Sequence, residues 1–310
     1  MIPKVAHFIW LGRELAWVYR LSLVSAARHG GFERVLFHHD GTLDGRLLDE
    51  LAAIPRVEVK ELDAMGLVEA AGGSALVECY RELVPPAARV NVLRMALLAE
   101  RGGVYLDTDT VTLRSFAPLC EQGGAFCGEE RLVFPGVRSS WLARLQPAAL
   151  ARMAVRDAFR RLPGGYAGFR RVERFYPTAV NNAVLGAEPG HPLVRELIAR
   201  AVLLPRARRR VRYALGTHLL QAVLADSEAR GVTVLPPPVF YPLGPELSEH
   251  WFRERRSVVL ERALTPETLL VHWYASVRTR RHVSRIDAAF VREHAGTQLF
   301  SALALRALAA

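Results

Sequence analysis

The sequence predicts an α/β protein with a mainly parallel central sheet and covering helices, on three observations. Short apolar runs suited to buried strands alternate with stretches of helical apolar spacing from Val5 onward. The clearest helix is closed by Gly102-Gly103 and feeds straight into a compact strand, Val104-Tyr105-Leu106. No internal repeat, low-complexity tract or clear linker interrupts the chain, so 1–310 reads as one domain.

Taken in order, Val5 to Trp10 is a buried strand, and Leu15 to Ala27 is a helix stopped by Gly30-Gly31. Val35 to Phe37 is a second strand, Leu43 to Ile54 a helix, and Val57 to Val59 a third strand. Pro85-Pro86 opens the next helix, where a missing N–H costs nothing because first-turn donors have no intrahelical partner. Val90, Leu93, Leu97 and Leu98 form its apolar stripe, and Thr110 to Leu113 extends beyond the strand that follows it. The stretch 129–178 is rich in Arg, Pro and Gly and reads as an irregular insertion with helical pieces. Strands follow at Ala179 to Leu185, Val232 to Leu235 and Leu269 to His272, with helices at Pro192 to Leu204 and Thr217 to Ala225. A long C-terminal helix at about 286–309, centred on Ala288 to Leu308, closes the chain.

Composition narrows the class. With 51% hydrophobic and 23% charged residues, the chain is an ordinary globular protein with enough apolar content for a core. Its three cysteines, Cys79, Cys120 and Cys127, have no metal-like spacing and read as free thiols in a reducing compartment. There is no leader pattern and no run of about 18 apolar residues, so a cytoplasmic location is expected, with peripheral contact at the inner membrane face as an option. The net charge of +10 comes mostly from arginine and is densest at Arg206, Arg208, Arg209, Arg210 and Arg212. Lacking interleaved aromatics, that cluster matches no nucleic-acid motif; it reads as a solvated face, with membrane or acceptor contact the lesser reading.

Chemistry concentrates at Asp107 and Asp109. Residues i and i+2 of a regular strand share a face, so two carboxylates would meet there and repel unless a cation lies between them. Hard oxygen ligands suit Mg²⁺ or Mn²⁺, ions that often bridge carboxylates to substrate phosphates. Strand ends of an open α/β sheet are where ligands usually bind. Just upstream, Asn91 and Arg94 share a helical face, and Arg94 interrupts an otherwise apolar helix, which demands an anionic partner.

The run Asn91-Val-Leu-Arg94-Met-Ala-Leu-Leu-Ala-Glu-Arg-Gly102-Gly103-Val-Tyr105-Leu-Asp107-Thr-Asp109 resembles the signature of the sugar-binding DXD glycosyltransferases. That group includes initiating mannosyltransferases, bacterial capsular transferases and, distantly, the clostridial glucosylating toxins. Three further segments resemble the same family in its order: Ile2 to Gly12, Val180 to Pro192, and His272-Trp273-Tyr274-Ala275-Ser276. The resemblance implies a GT-A-type, Rossmann-like fold and a metal-dependent, retaining glycosyltransferase using a nucleotide-sugar, UDP-sugar favoured and GDP-mannose possible. The acceptor would be a hydroxyl on a glycan, lipid carrier or natural product; 129–178 and 206–212 are candidates for recognising it.

By the same resemblance Trp10 would stack on the base, with Phe8 and Ile9 holding that strand. Arg94 would contact donor sugar or diphosphate, Tyr105 would pack near the donor, and Asp107 would meet ribose or sugar hydroxyls. Asp109 would be the direct metal ligand and His272 a second; Ser276 would touch metal or phosphate, and Asn181 or Asn182 the sugar or acceptor. Asn91 departs from the family's usual aspartate, Thr217 from a common proline, and Val277 from a tryptophan found in many relatives. Front-face attack, with the departing phosphate taking the acceptor's proton, is the expected mechanism. Two alternatives stand beside it: a non-catalytic nucleotide-sugar or glycan-binding module, and a haloacid-dehalogenase-type phosphatase using Asp107 as nucleophile.

Overall fold

The computed structural model describes residues 1–133, 146–226, 231–277 and 279–309. From the N-terminus, β1 (Val5–Trp10), α1 (Trp17–His29), β2 (Arg34–His39), α2 (Gly45–Ala52) and β3 (Val57–Glu61) build parallel β-α-β units. Helices α3 (Ala64–Arg81) and α4 (Pro86–Arg101) precede β4 (Gly103–Leu106). Next come β5 (Thr110–Thr112), α5 (Ala117–Gln122), β6 (Ala125–Arg131), α6 (Gln146–Arg161), α7 (Gly165–Val172) and the long β7 (Thr178–Ala187). The order finishes with α8 (Pro192–Leu203), the one-turn α9 (Arg206–Arg209), α10 (Thr217–Asp226), β8 (Val232–Leu235), α11 (Pro237–Phe240), β9 (Leu270–His272), α12 (Arg280–Val283), α13 (Ala288–His294) and α14 (Leu299–Leu308).

Seven strands form one sheet in the order β3-β2-β1-β4-β7-β6-β8, and β5 pairs with β9 in a separate two-stranded sheet. The large sheet is mainly parallel, as expected; β7 alone runs antiparallel to its neighbours β4 and β6. Strand alternation splits the core in two. Ile9 and Tyr105 face the side packed by α3, α4, α8 and α10, whereas Phe8, Val104 and Leu106 face the side holding α1, α5 and α11. A third core gathers Val18 and Leu21 of α1 with Val111, Trp251, Trp273 and the buried face of α14.

Three expectations are corrected, and one helix is added to those expected. The added helix is α3, in a stretch to which no element was assigned: Gly73 (φ +61°) kinks it, while Leu67, Val68, Leu76 and Tyr80 bury its flanks. Residues 125–131 form β6 inside the sheet, so the irregular insertion begins after it; within 129–178, α6 and α7 are the helical pieces, and 134–145 lie outside the described residues. The C-terminal helix is two helices, because Gln298 leaves the helix to bridge Glu254 and donates its amide to Phe252 O at 3.1 Å. Its second half, α14, buries Phe300 and Leu303 completely, so this face packs on the protein rather than on a membrane. The third correction concerns the aspartate pair.

All three cysteines are buried and free. Among the described residues no helix is long and apolar enough to cross a membrane.

Candidate active site

The turn from α4 into β4 needs its two glycines. Gly102 (φ +61°) and Gly103 (φ +101°) hold conformations other residues avoid, and a Cβ on Gly103 would lie 2.8 Å from Val5 O. This close approach seats β4 against β1 and fixes where Leu106 ends. Beyond it, Asp107 N–H donates to Ala183 O (2.8 Å), the last rung toward β7.

Asp107-Thr108-Asp109 is therefore not a strand whose pleat aligns two carboxylates. It is a turn that carries the chain from the large sheet to the small one, held by Thr110 Oγ1 donating to Asp107 O (2.7 Å). In the small sheet Thr110 pairs with His272, which puts β9 next to Asp109. The carboxylates still converge: one ligand atom from each of Asp107, Asp109 and His272 lies within 4.8 Å of the others.

Each carboxylate has its own basic partner: the Arg94 guanidinium for Asp107 and the His272 imidazole for Asp109. Arg94, 4% exposed, places Nη2 2.8 Å from Asp107 Oδ1 and Nη1 on Asn182 O, with its guanidinium 4.0 Å above the Tyr105 ring. The Tyr105 hydroxyl donates to the same Asp107 oxygen at 2.9 Å. Burial opposes the Arg94 charge, but Asp107 and Tyr105 outweigh it and raise its pKa. Burial also raises the Asp107 pKa, with Arg94 pulling the other way and Asp109 adding repulsion.

Asp109 is gripped by one strap, residues 272–275. His272 Nε2 lies 3.0 Å from Oδ1, Ala275 N–H donates to Oδ2 at 2.7 Å, and Trp273 N–H donates to the backbone oxygen at 3.0 Å. Burial would raise the Asp109 pKa, yet His272 and these donors bring it below the ordinary carboxylate value. Burial would likewise lower the His272 pKa, but Asp109 and Asp107 raise it. The strap bends at Tyr274, which adopts φ +59°, a strained state for a tyrosine. Thr279 Oγ1 donates to Tyr274 O (2.5 Å), and Tyr274 OH donates to Glu130 Oε2 (2.7 Å).

Glu130 escaped the sequence reading. It is 7% exposed on β6, bonded to both Tyr274 and Asn181, and burial raises its pKa despite those bonds. The available signal was a glutamate pair following the apolar Ala125-Phe126-Cys127 run. Tyr241, whose ring meets His272 edge-on at 5.9 Å, also went unnoticed.

Of the other expected residues, Asn91 and Asn182 pair, with Asn182 Nδ2 donating to Asn91 Oδ1 at 2.9 Å. Asn181 Oδ1 instead accepts from Ala183 N–H (2.7 Å), so its amide braces β7. Trp10 is half-buried beside Tyr19 (4.9 Å), and Tyr19 stacks on Trp273 (5.9 Å); among the described residues the Trp10 ring N–H has no partner. Phe8 and Ile9 are core residues at 0% and 3% exposure, so a donor would meet only their backbone. Ser276 is exposed, just past Ala275.

Two carboxylates and an imidazole fit a divalent ion such as Mn²⁺ or Mg²⁺ in donor type. Among the described residues the buried His272 Nδ1 has no hydrogen-bond partner, so Asp109 is the one side chain there that anchors the ring. A phosphatase nucleophile fits worse, because Asp107 Oδ1 already accepts from Arg94 and Tyr105, and among the described residues no further acidic pair joins the cluster. A cavity of about 690 Å³ lies elsewhere, over β1 to β3, lined by His7, His38, Lys60 and Arg101.

Residues 30–125 match the model of the glycosyltransferase sugar-binding region containing the DXD motif, which takes in Asn91 through Asp109 and bears out the resemblance on that segment. No curated protein matches the sequence. Among solved structures, PaToxG glycosyltransferase is 15% identical, with 72% of this chain and 69% of that chain covered and a TM-score of 0.47. The UDP-bound glycosyltransferase domain of the YGT toxin is 11% identical, covering 75% and 79%, at 0.43. The galactosyltransferase LgtC, in complex with donor and acceptor sugar analogues, is 13% identical, covering 86% of each chain, also at 0.43.

Proposed function

We propose that the protein, whose residues 30–125 match the glycosyltransferase sugar-binding region containing the DXD motif, moves a sugar from a nucleotide-sugar to a hydroxyl acceptor with retention of configuration. The donor favoured is a UDP-sugar, with GDP-mannose the alternative, and the cofactor is Mn²⁺ or Mg²⁺. One observation carries the reading: Asp107, Asp109 and His272 converge within 4.8 Å on the turn after β4, beside a nearly buried Arg94.

Asp109 and His272 would hold the ion, with Asp107 as a further ligand, and when bound the ion supplies Lewis-acid stabilisation of the leaving diphosphate. Arg94 is buried, keeps its charge and is aimed by Asp107, Tyr105 and Asn182 O, so its field would be preorganised toward developing phosphate charge. The Asn91–Asn182 amide pair offers donors and acceptors suited to sugar hydroxyls. Trp10 would serve the base, and Ser276 the phosphate.

Front-face attack is favoured because Glu130, the other carboxylate near the cluster, is held by Tyr274 and Asn181 instead of being free to form a glycosyl-enzyme. We assign the whole chain to one GT-A-like domain, acting in the cytoplasm. The test is a panel of UDP- and GDP-sugars with Mn²⁺, scored for slow donor hydrolysis, with the product anomer read by NMR. One donor should be turned over with retention and Asp109→Ala should abolish turnover; full turnover by Asp109→Ala would remove the metal role.

A further inference from the structure

Four exposed large apolar side chains belong to three segments that meet at Arg209: Val84 follows α3, Leu203 ends α8, and Val211 and Tyr213 lie in the basic segment. Val84 is 85% exposed, Leu203 79%, Val211 49% and Tyr213 45%. Arg209 draws these segments together: its Nε donates to Leu204 O (2.8 Å), Nη2 to Val202 O (2.7 Å), and Nη1 to Glu82 Oε2 (3.1 Å). Arg206 takes the other Glu82 oxygen at 2.6 Å. Glu82 is thus doubly neutralised, while among the described residues Arg208, Arg210 and Arg212 have no carboxylate partner and are exposed. Single exposed leucines need no explanation, but apolar tips set among unpaired arginines mark an interaction surface.

We propose that this surface docks the protein on an anionic lipid bilayer. Val84 and Leu203 enter the headgroup boundary while the arginines meet lipid phosphates, the composition of an interfacial anchor. A nucleic-acid polymer fits less well. The aromatic available, Tyr213, already has Arg212 over its ring at 4.7 Å, and exposed aliphatic tips gain nothing from a phosphate backbone.

The surface also borders the sugar-binding site. Pro86 starts the helix that carries Asn91, five residues on and so about 7.5 Å along its axis. At the other end of the basic segment, a Cβ on Gly216 would lie 3.0 Å from the Asn182 amide and 3.1 Å from that of Asn91. Docking would hold the site beside the membrane, where an acceptor on a lipid carrier is reached. The docking itself is read without donor or metal, so it stands or falls apart from the transfer reaction.

The test is flotation of the full chain with vesicles of phosphatidylcholine alone and of phosphatidylcholine mixed with phosphatidylglycerol. Binding should require phosphatidylglycerol and fall as salt is raised. The triple variant Arg208→Gln, Arg210→Gln, Arg212→Gln should bind on the order of 100-fold more weakly, from about a fivefold loss per arginine. Val84→Ser with Leu203→Ser, which keeps every charge, should also lose binding by about tenfold or more. All five side chains are exposed, so unchanged thermal unfolding confirms that the variants fold. Equal binding to both vesicle types would overturn the proposal. So would binding to heparin that is as tight as to vesicles and indifferent to Val84 and Leu203, which would make the surface a polyanion site.

Discussion

Replacing Arg94 by methionine removes the cation of Asp107 while keeping most of the buried volume. Breaking a buried pair from one side typically costs 3–5 kcal/mol, because the remaining charge is left uncompensated. The Asp107 side chain retains 28% exposure, so water recovers part of that penalty and the lower end, about 3 kcal/mol, is expected. Against a total stability of about 5–15 kcal/mol the protein should still fold. At roughly 2–4 °C per kcal/mol its Tm should fall by roughly 6–12 °C. Asp107→Asn in the same chain should restore part of the loss, since the orphaned charge disappears; a coupling of about 1–3 kcal/mol is expected. Thermal and urea unfolding of the four proteins in this cycle measure it. A cost below about 1 kcal/mol for Arg94→Met, or strict additivity, would refute the claim that this pair is buried and mutually dependent.

Three further outcomes follow from the same structure. His7 Nδ1 lies 3.1 Å from His38 Nε2, and burial lowers the two pKa values to about 4 and about 3. The unfolded chain therefore takes up these protons first: stability is full above about pH 6.5 and falls toward the folded values, by up to about 1.4 kcal/mol per pH unit per histidine. Urea midpoints from about pH 7.5 to 4.5 should show this slope, and His7→Gln with His38→Gln should flatten it; an identical slope contradicts the assignment. Glu130→Ala leaves the Tyr274 hydroxyl unpaired and frees the strap, so donor hydrolysis should drop roughly 10- to 100-fold at unchanged fold, while Glu130→Gln retains most of it; equal rates in both variants would remove Glu130 from the site. Gly103→Ala places a Cβ 2.8 Å from Val5 O at φ +101° and should destabilise by about 2 kcal/mol or more, read as a lowered urea midpoint.

Local patterning made the first half of the fold legible. Apolar runs and glycine stops located β1, β2, α4 and β4, because each buries a continuous apolar run, while β3 showed only as the short Val57–Val59 pattern with Val57 buried. Helix α3 was hidden by Gly72-Gly73, and β6 by Gly128-Glu129-Glu130-Arg131, whose charges suit a strand only because Glu130 finds Asn181 on the neighbouring β7 and Tyr274 in the strap. Asp107, Asp109, Arg94 and His272 were nominated from the sequence and are brought together in space. The reason given for the aspartates was wrong in geometry, since β5 leaves the large sheet to pair with β9, and no local pattern announces a change of sheet. Ala275 N–H contacts Asp109 through its backbone, and side-chain chemistry cannot point to such a donor. Phe8 and Ile9 came with the segment around Trp10, but strand alternation sends them into opposite cores.

The most direct trial of the metal–diphosphate assignment is calorimetric titration of UDP and GDP into the wild-type protein and Asp109→Ala, each with Mn²⁺ and with chelator. One of the two nucleotides should bind the wild type only when Mn²⁺ is present, and Asp109→Ala should lose that binding while remaining folded. Nucleotide affinity that survives the chelator unchanged, or that the alanine variant keeps in full, would contradict the role given to Asp107, Asp109 and His272.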